Sequence, residues 1–157
     1  MTAAVAAREA SPSAWSHRLP VALLALVGCG LASYLALYQL HLTPSVWDPL
    51  FGTASSEAVL TWARPVPDAA LGAVAYVVEA LLTALGGPER WRTHPRLVLL
   101  FGLVLAGLAL TSLALVLLQA VLVHAACSLC LLSAAISFIN AWLGRPEVLA
   151  TLNSREL

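Results

Sequence analysis

Residues Leu97–Gly144 read LVLLFGLVLAGLALTSLALVLLQAVLVHAACSLCLLSAAISFINAWLG, without a single Asp, Glu, Lys or Arg. A membrane crossing uses about 20 apolar residues, so this run is too long for one span and suits two joined by a tight turn. Gln119, His124, Cys127 and Ser128 concentrate its polarity and place the turn between Gln119 and Ser128. Pro20–Leu40 is a further uninterrupted apolar run, and Asp68–Gly87 another, broken only by Glu79. Backbone groups in lipid must bond within the segment, so these runs are expected as helices. The spacing predicts spans over about 20–40, 68–87, 97–119 and 124–143. The expected fold is all-α: a polytopic membrane four-helix bundle over residues 20–143, with a long first loop.

Composition agrees. Of 157 residues, 61% are hydrophobic and 10% charged, against about 45–50% and about 25% in soluble domains. Eight arginines balance eight acids and there is no lysine. That excludes a basic nucleic-acid binder and an acidic disordered tail. Three cysteines are too few for a disulfide-stapled secreted scaffold, and four spans leave no room for a large transporter.

The arginines suggest an orientation. Arg8 and Arg18 precede the first span, Arg90, Arg92 and Arg96 lie in the second connection, and Arg145 and Arg155 follow the last span. The first connection, His41–Pro67, holds only Arg64, with Asp48 and Glu57. By the positive-inside rule both termini are expected in the cytoplasm of a multi-pass cell-membrane protein. Residues 1–19 are expected as a disordered tail and 144–157 as a second cytoplasmic tail. Trp15, Trp91 and Trp142 would anchor the inner interface, Trp47 and Trp62 the outer one. Leu26-Val27-Gly28-Cys29 looks like a lipoprotein cleavage box, but the mostly apolar residues after Cys29 make the segment a span.

Cys127-Ser128-Leu129-Cys130 is the sharpest chemical feature. At a helix start this spacing brings two sulfurs close enough for a disulfide to form and open. The free N–H groups and macrodipole there favour a thiolate. At the outward end of the last span, the pair lies between aqueous partners and lipid, which suits dithiol–disulfide exchange. The plainer alternative is two small packing residues, since free Cys behaves as a hydrophobe. His124, three residues earlier, is either simply solvated or a modulator of the thiolate. A metal centre needs about four ligands and only His124 is near, so no metal is expected. Cys29, in mid-span without a sequence partner, reads as core packing.

On the second predicted span, Asp68, Gly72, Tyr76 and Glu79 share one helical face. Polar residues in a span point into the bundle or a wet cavity. Asp68 after Pro67 fits a helix cap, and Gly72 permits a close approach by a helix or a ring. Tyr76 reads first as packing. Glu79 lies about 16 Å deeper than Asp68 at about 1.5 Å per residue. Its plain reading is a neutral partner for Ser112, Ser133 or Asn140; its sharper one is proton supply. Gly28, Gly30, Gly102 and Gly107 read as close helix contacts.

Taken together, Trp47-Asp48-Pro49-Leu50-Phe51-Gly52, Ala58-Val59-Leu60, Pro65–Tyr76 with its Gly72-x-x-x-Tyr76 element, and the Cys pair resemble the bacterial branch of the vitamin K epoxide reductase family over about residues 20–143. The resemblance implies a four-helix bundle around a quinone of the menaquinone or ubiquinone type. Cys127 and Cys130 match its active-site pair, Cys130 facing the quinone and Cys127 exchanging with incoming thiols. Asp68 would help hold the quinone carbonyl, with Gly72 and Tyr76 beside it. An extracytoplasmic thioredoxin-like thiol protein would be the partner; Trp47, Phe51 and Trp62 of the first loop offer apolar contacts for docking it, or equally lie on the membrane surface or cap the pocket. The departure is in that loop: most members carry a second cysteine pair there, and His41–Pro67 has none. The corresponding places hold Trp47 or Asp48 and Ser55 or Ser56. The competing expectation is therefore a non-catalytic, degenerate membrane module for binding or assembly; a heavy-metal carrier would need more thiols.

Overall fold

The computed structural model describes residues 11–62 and 66–154. Four long helices form a bundle: α1 (Trp15–Gln39), α3 (Asp68–Ala84), α5 (Pro95–Leu118) and α6 (Ser128–Asn153). Two short helices lie in the connections, α2 (Thr53–Trp62) in the first and α4 (Arg90–Thr93) in the second. Among the described residues there is no strand. Three helices are long and apolar enough to cross a membrane: α1, α5 with its continuation to Val123, and α6. The 17 residues of α3 rise about 26 Å, at the short end of what a bilayer core requires. The chain is an all-α membrane protein. Its outer surface shows why: Leu23, Leu26, Leu71, Leu103, Leu110 and Leu117 are all more than half exposed, as lipid-facing side chains should be.

Each boundary has a local cause. Pro95 opens α5, where its missing N–H is not needed. α5 ends in a π-turn over Gln119–Val123, and His124 then takes a left-handed conformation (φ 50°) that turns the chain back. This is the reversal expected between Gln119 and Ser128. Cys127 is the N-cap of α6.

At one end the first connection folds back as a cap, Val46–Trp62. Val46, Val59 and Leu60 of the cap bury against Leu35 of α1 and Cys127. The bundle's middle is filled by Ala25, Ala32, Tyr76 and Ile136, and the far end by Val21, Leu82, Phe101 and Leu105.

The far end differs from the expected solvated tails. Residues 1–10 and Arg155–Leu157 lie outside the described residues, as does Arg64. From Ser11 onward, however, the chain is packed, and α1 begins at Trp15 rather than near Pro20. α6 continues past Leu143 to Asn153. The reason is a buried polar cluster. Arg90, fully buried, donates Nε and Nη2 to Glu147 and Nη1 to the Leu82 and Leu85 carbonyls. Ser13 adds its hydroxyl to Glu147 at 2.5 Å. Arg18, only 2% exposed, donates to the carbonyls of Thr83, Leu85 and Gly86. Two guanidinium groups thus satisfy the last carbonyls of α3, which would otherwise be orphaned.

Candidate functional site

Cys127 and Cys130 are joined as a disulfide, with Cα atoms 5.2 Å apart. Helix geometry explains the pairing, since the N-cap residue and the third residue of α6 lie on one side of its first turn. The Cys127 sulfur accepts the Cys130 N–H at 3.2 Å, one of the free donors of the helix start. The Cys127 N–H is directed at Gln119 Oε1, 3.3 Å away.

The two sulfurs face different surroundings. Cys127 is 0% exposed and belongs to the apolar cluster under the cap. Although it is the sulfur expected to exchange with incoming thiols, it does not stand open to the surface: Leu35, Val46, Val59 and Leu60 cover it. Cys130 instead lines a cavity of about 540 Å³ that runs down the bundle between α1, α3, α5 and α6. Its size falls within the range of small-molecule sites. The walls are largely apolar, from residues such as Leu71, Ala75, Val104, Leu108 and Leu115. Polar groups gather at two levels. Asp68, Gln119 and Cys130 stand near the cap; Tyr76, Ser112, Ser133 and Ser137 stand deeper.

Asp68 is not the cap residue of α3. Pro67 holds that place, and the Asp68 carboxylate instead accepts a hydrogen bond from the Gln39 amide nitrogen. Gln39 Oε1 in turn accepts the Ala69 N–H at 3.0 Å. The acid thereby keeps its favourable place in the first turn of a helix while facing the cavity. Gly72 also lines the cavity, yet a methyl group there would meet only Ala32, at an ordinary 3.8 Å. The close approach lies one helix away. The Tyr76 ring packs onto Gly28, where an added Cβ would come within 2.6 Å of it. Gly102 is similarly tight against Val148, whereas Gly30 and Gly107 have open space. The Tyr76 hydroxyl donates to the Ser133 carbonyl at 2.7 Å and lies 2.8 Å from Ser137 Oγ, which Ser112 also reaches. Glu79 is fully buried and accepts the Asn140 side-chain N–H at 2.6 Å. It does not line the cavity, so the plain reading of it fits.

His124 is exposed, beside a shallow surface depression shared with Phe51 and Ser55, and makes no hydrogen bond to either cysteine. Cys29 is free and half-buried in α1. Among the described residues no cluster of side chains could hold a metal ion.

The cap is fastened beside the disulfide by Asp48. Its carboxylate accepts the N–H groups of Leu50 and Phe51, each at 2.9 Å, and the Ser56 hydroxyl at 2.5 Å. It also accepts both the N–H and the hydroxyl of Ser128, each at 2.7 Å. Burial works against ionisation here, but the hydrogen bonds from Ser56, Ser128 and Phe51 outweigh it. They hold the Asp48 carboxyl well below the usual aspartate range. Ser55 adds a reciprocal pair, donating to the Ala126 carbonyl at 2.7 Å and accepting the Ala126 N–H at 3.0 Å.

The disulfide thus stands at a helix start with one sulfur in a cavity wall and the other under a cap. Residues 19–144 match the model of the vitamin K epoxide reductase family. The chain belongs to the vitamin K epoxide reductase family. No curated protein and no solved structure matches it. Membership supports a membrane thiol oxidoreductase-like role in general terms, and the family resemblance read from the sequence is borne out.

Several site residues escaped the sequence reading. Gln39 and Gln119 are lone amides in apolar runs, and Gln119 reads there only as a turn residue. The isolation of such amides was the available signal, because a polar group in a span requires a partner. The role of Asp48 as the fastening of the cap had no signal in spacing.

Proposed function

We propose that the protein oxidises extracytoplasmic thiols and passes the electrons to a bound quinone, with Cys127 as the sulfur that meets the partner and Cys130 as the sulfur that meets the quinone. The observation that supports this is the division of the pair, Cys130 in the cavity wall and Cys127 under the cap. The expected partner is a thioredoxin-like thiol protein, and the expected membrane is the cell membrane with both termini in the cytoplasm. At the far end Arg18, Arg92 and Arg145 each stack on a tryptophan, Trp15, Trp91 and Trp142. Such pairs suit a charged interface.

The residues fit a quinone of the menaquinone or ubiquinone type. Apolar walls receive a ring and an isoprenoid chain, and Asp68 and Cys130 stand together at one level. When bound, a quinone supplies an acceptor for two electrons and two protons. The exchange begins when a partner thiolate attacks the Cys127 sulfur and the Cys127–Cys130 bond breaks, releasing Cys130 as a thiolate. The partner's second thiolate then attacks the mixed disulfide, forming the partner's disulfide and freeing Cys127. Two electrons now reside on Cys127 and Cys130. They leave as the Cys127–Cys130 disulfide re-forms, and the two protons that accompany them equal the two the partner's thiols gave up on becoming thiolates. Asp68 as a carboxylate can accept a hydrogen bond from a quinol hydroxyl. Toward a quinone carbonyl it must carry the proton itself. Gly72 leaves room beside it, and Tyr76 holds the deeper wall in place.

The absence of cysteine between His41 and Pro67 favours a second reading, a degenerate module that binds without catalysis. Purified protein supplied with a dithiol and a soluble quinone separates the two. Quinol formation that disappears in Cys130→Ala supports the oxidoreductase. Turnover unchanged in that variant, or absent from the unaltered protein, removes it.

A further inference from the structure

Cys127 is the sulfur expected to receive a partner's thiol, yet it has no exposed surface. In-line attack on a disulfide needs open space behind the sulfur attacked, so the cap must move. Its polar attachments to the start of α6 converge on few atoms. Ser128, immediately after Cys127, gives both its N–H and its hydroxyl to Asp48, and Ala126, immediately before it, is clasped by Ser55. The same Asp48 carboxylate organises the cap internally through Leu50, Phe51 and Ser56. Between His41 and Pro67 no cysteine offers a covalent tie to α6. These hydrogen bonds can open and close without chemistry.

We propose that Asp48 is a latch: its carboxylate locks the cap over Cys127, and a thiol reaches that sulfur only after the Asp48–Ser128 bonds open. The latch deepens the proposed exchange and takes from it only that Cys127 is the entry sulfur. Asp48 is a positioning residue, since it touches neither sulfur nor substrate and acts through Ser128 and the cap. Its bonds are charge-assisted, which makes them stronger than neutral ones. Asparagine at this site keeps one acceptor oxygen and loses the charge. Alanine at position 128 removes only the hydroxyl bond and keeps the backbone one.

The test is the rate at which a water-soluble maleimide labels Cys127 in full-length protein carrying Cys29→Ala and Cys130→Ala. When closing is faster than labelling, that rate follows the population of the open cap. Adding Asp48→Asn is expected to raise it about 10- to 100-fold, the equivalent of losing charge-assisted bonds. Adding Ser128→Ala is expected to raise it less. Gly28→Ala, which loosens the bundle away from the cap, is expected to leave the rate unchanged and so separates unlatching from general destabilisation. Equal rates in the parent and in Asp48→Asn overturn the latch, as does a matching rise in Gly28→Ala. Quinone reduction is read separately on protein with its cysteines intact. If labelling shows the contrast but no quinol forms, the proposed function falls and the latch stands; the converse result removes the latch alone.

Discussion

Arg90 grips Glu147 with two nitrogens, Nε to Oε1 at 2.5 Å and Nη2 to Oε2 at 2.7 Å, and both side chains are almost wholly removed from solvent. The pair joins the second connection to the last turns of α6, and through Ser13 it also holds the segment before α1. A buried ion pair is costly to break from one side, because the remaining charge keeps its desolvation penalty. Glu147→Ala should therefore destabilise the protein by about 3–5 kcal/mol. Replacing both partners, Arg90→Met with Glu147→Leu, should recover much of that loss. Thermal unfolding in detergent checks the comparison. A double variant as unstable as the single one would show that Arg90 matters mainly for the carbonyls of α3.

Gly28 and Gly72 should respond differently to the same added methyl. At Gly28 the new Cβ would lie 2.6 Å from the Tyr76 ring, which is fully packed and hydrogen-bonded through its hydroxyl. Overpacking of that kind costs about 1–3 kcal/mol. At Gly72 the nearest atom is at 3.8 Å, so Gly72→Ala should unfold at nearly the temperature of the unaltered protein. Its effect should be on occupancy of the cavity, read as a change in bound quinone per mole of purified protein. A large fall in unfolding temperature for Gly72→Ala would mean that α3 sits closer to α1 than described.

The Asp48 contacts also set a pH dependence. Its carboxyl is held below the ordinary range by hydrogen bonds that the ionised form receives in full and the protonated form only in part. The stabilisation is therefore complete above the unfolded aspartate value of about 3.9, and it is lost as pH falls from there through the lowered folded value. Its donors are hydroxyls and backbone amides, so no other titrating partner complicates the sign. The gap in unfolding temperature between the unaltered protein and Asp48→Asn should stay constant from pH 7 to about 5. It should shrink below about pH 4. A gap that widened toward acid would contradict the ionised network.

How much of this was visible beforehand depends on what each residue answers to. Leu97–Gly144 declared two helices because lipid leaves the backbone no other option. The turn declared itself because polarity in such a run has to reach an interface. The face from Asp68 to Glu79 and the spacing of Cys127 and Cys130 are properties of one helix, and so are readable from position alone. The remainder is set between elements. Arg18 and Arg90 read from sequence only as inner-side arginines, because a tally of charges cannot tell a guanidinium in water from one capping a helix, and Glu147 carries no signal of its own. The glycine that meets an aromatic ring is decided by how α1 and α3 cross, and the sequence offered several candidates. Asp48 gathers donors from a loop, a short helix and the start of α6, a convergence that only the folded cap creates.

The pair should be functionally asymmetric. In Cys130→Ala the remaining sulfur is the one under the cap, so Cys127 attacking the disulfide of an oxidised partner yields a mixed disulfide that Cys130 is no longer there to resolve, and only the partner's own second thiol can reverse it. That species should accumulate on non-reducing gels while quinone reduction stops. In Cys127→Ala the remaining sulfur lies in the cavity wall among the helices, away from the cap where a protein partner is expected to dock. No mixed disulfide should form, and a small lipid-soluble alkylating reagent should still label Cys130. Bound quinone should slow that labelling, since both compete for the same cavity. The opposite pattern, a trapped partner on Cys130 and none on Cys127, would reverse the direction of electron flow through the disulfide.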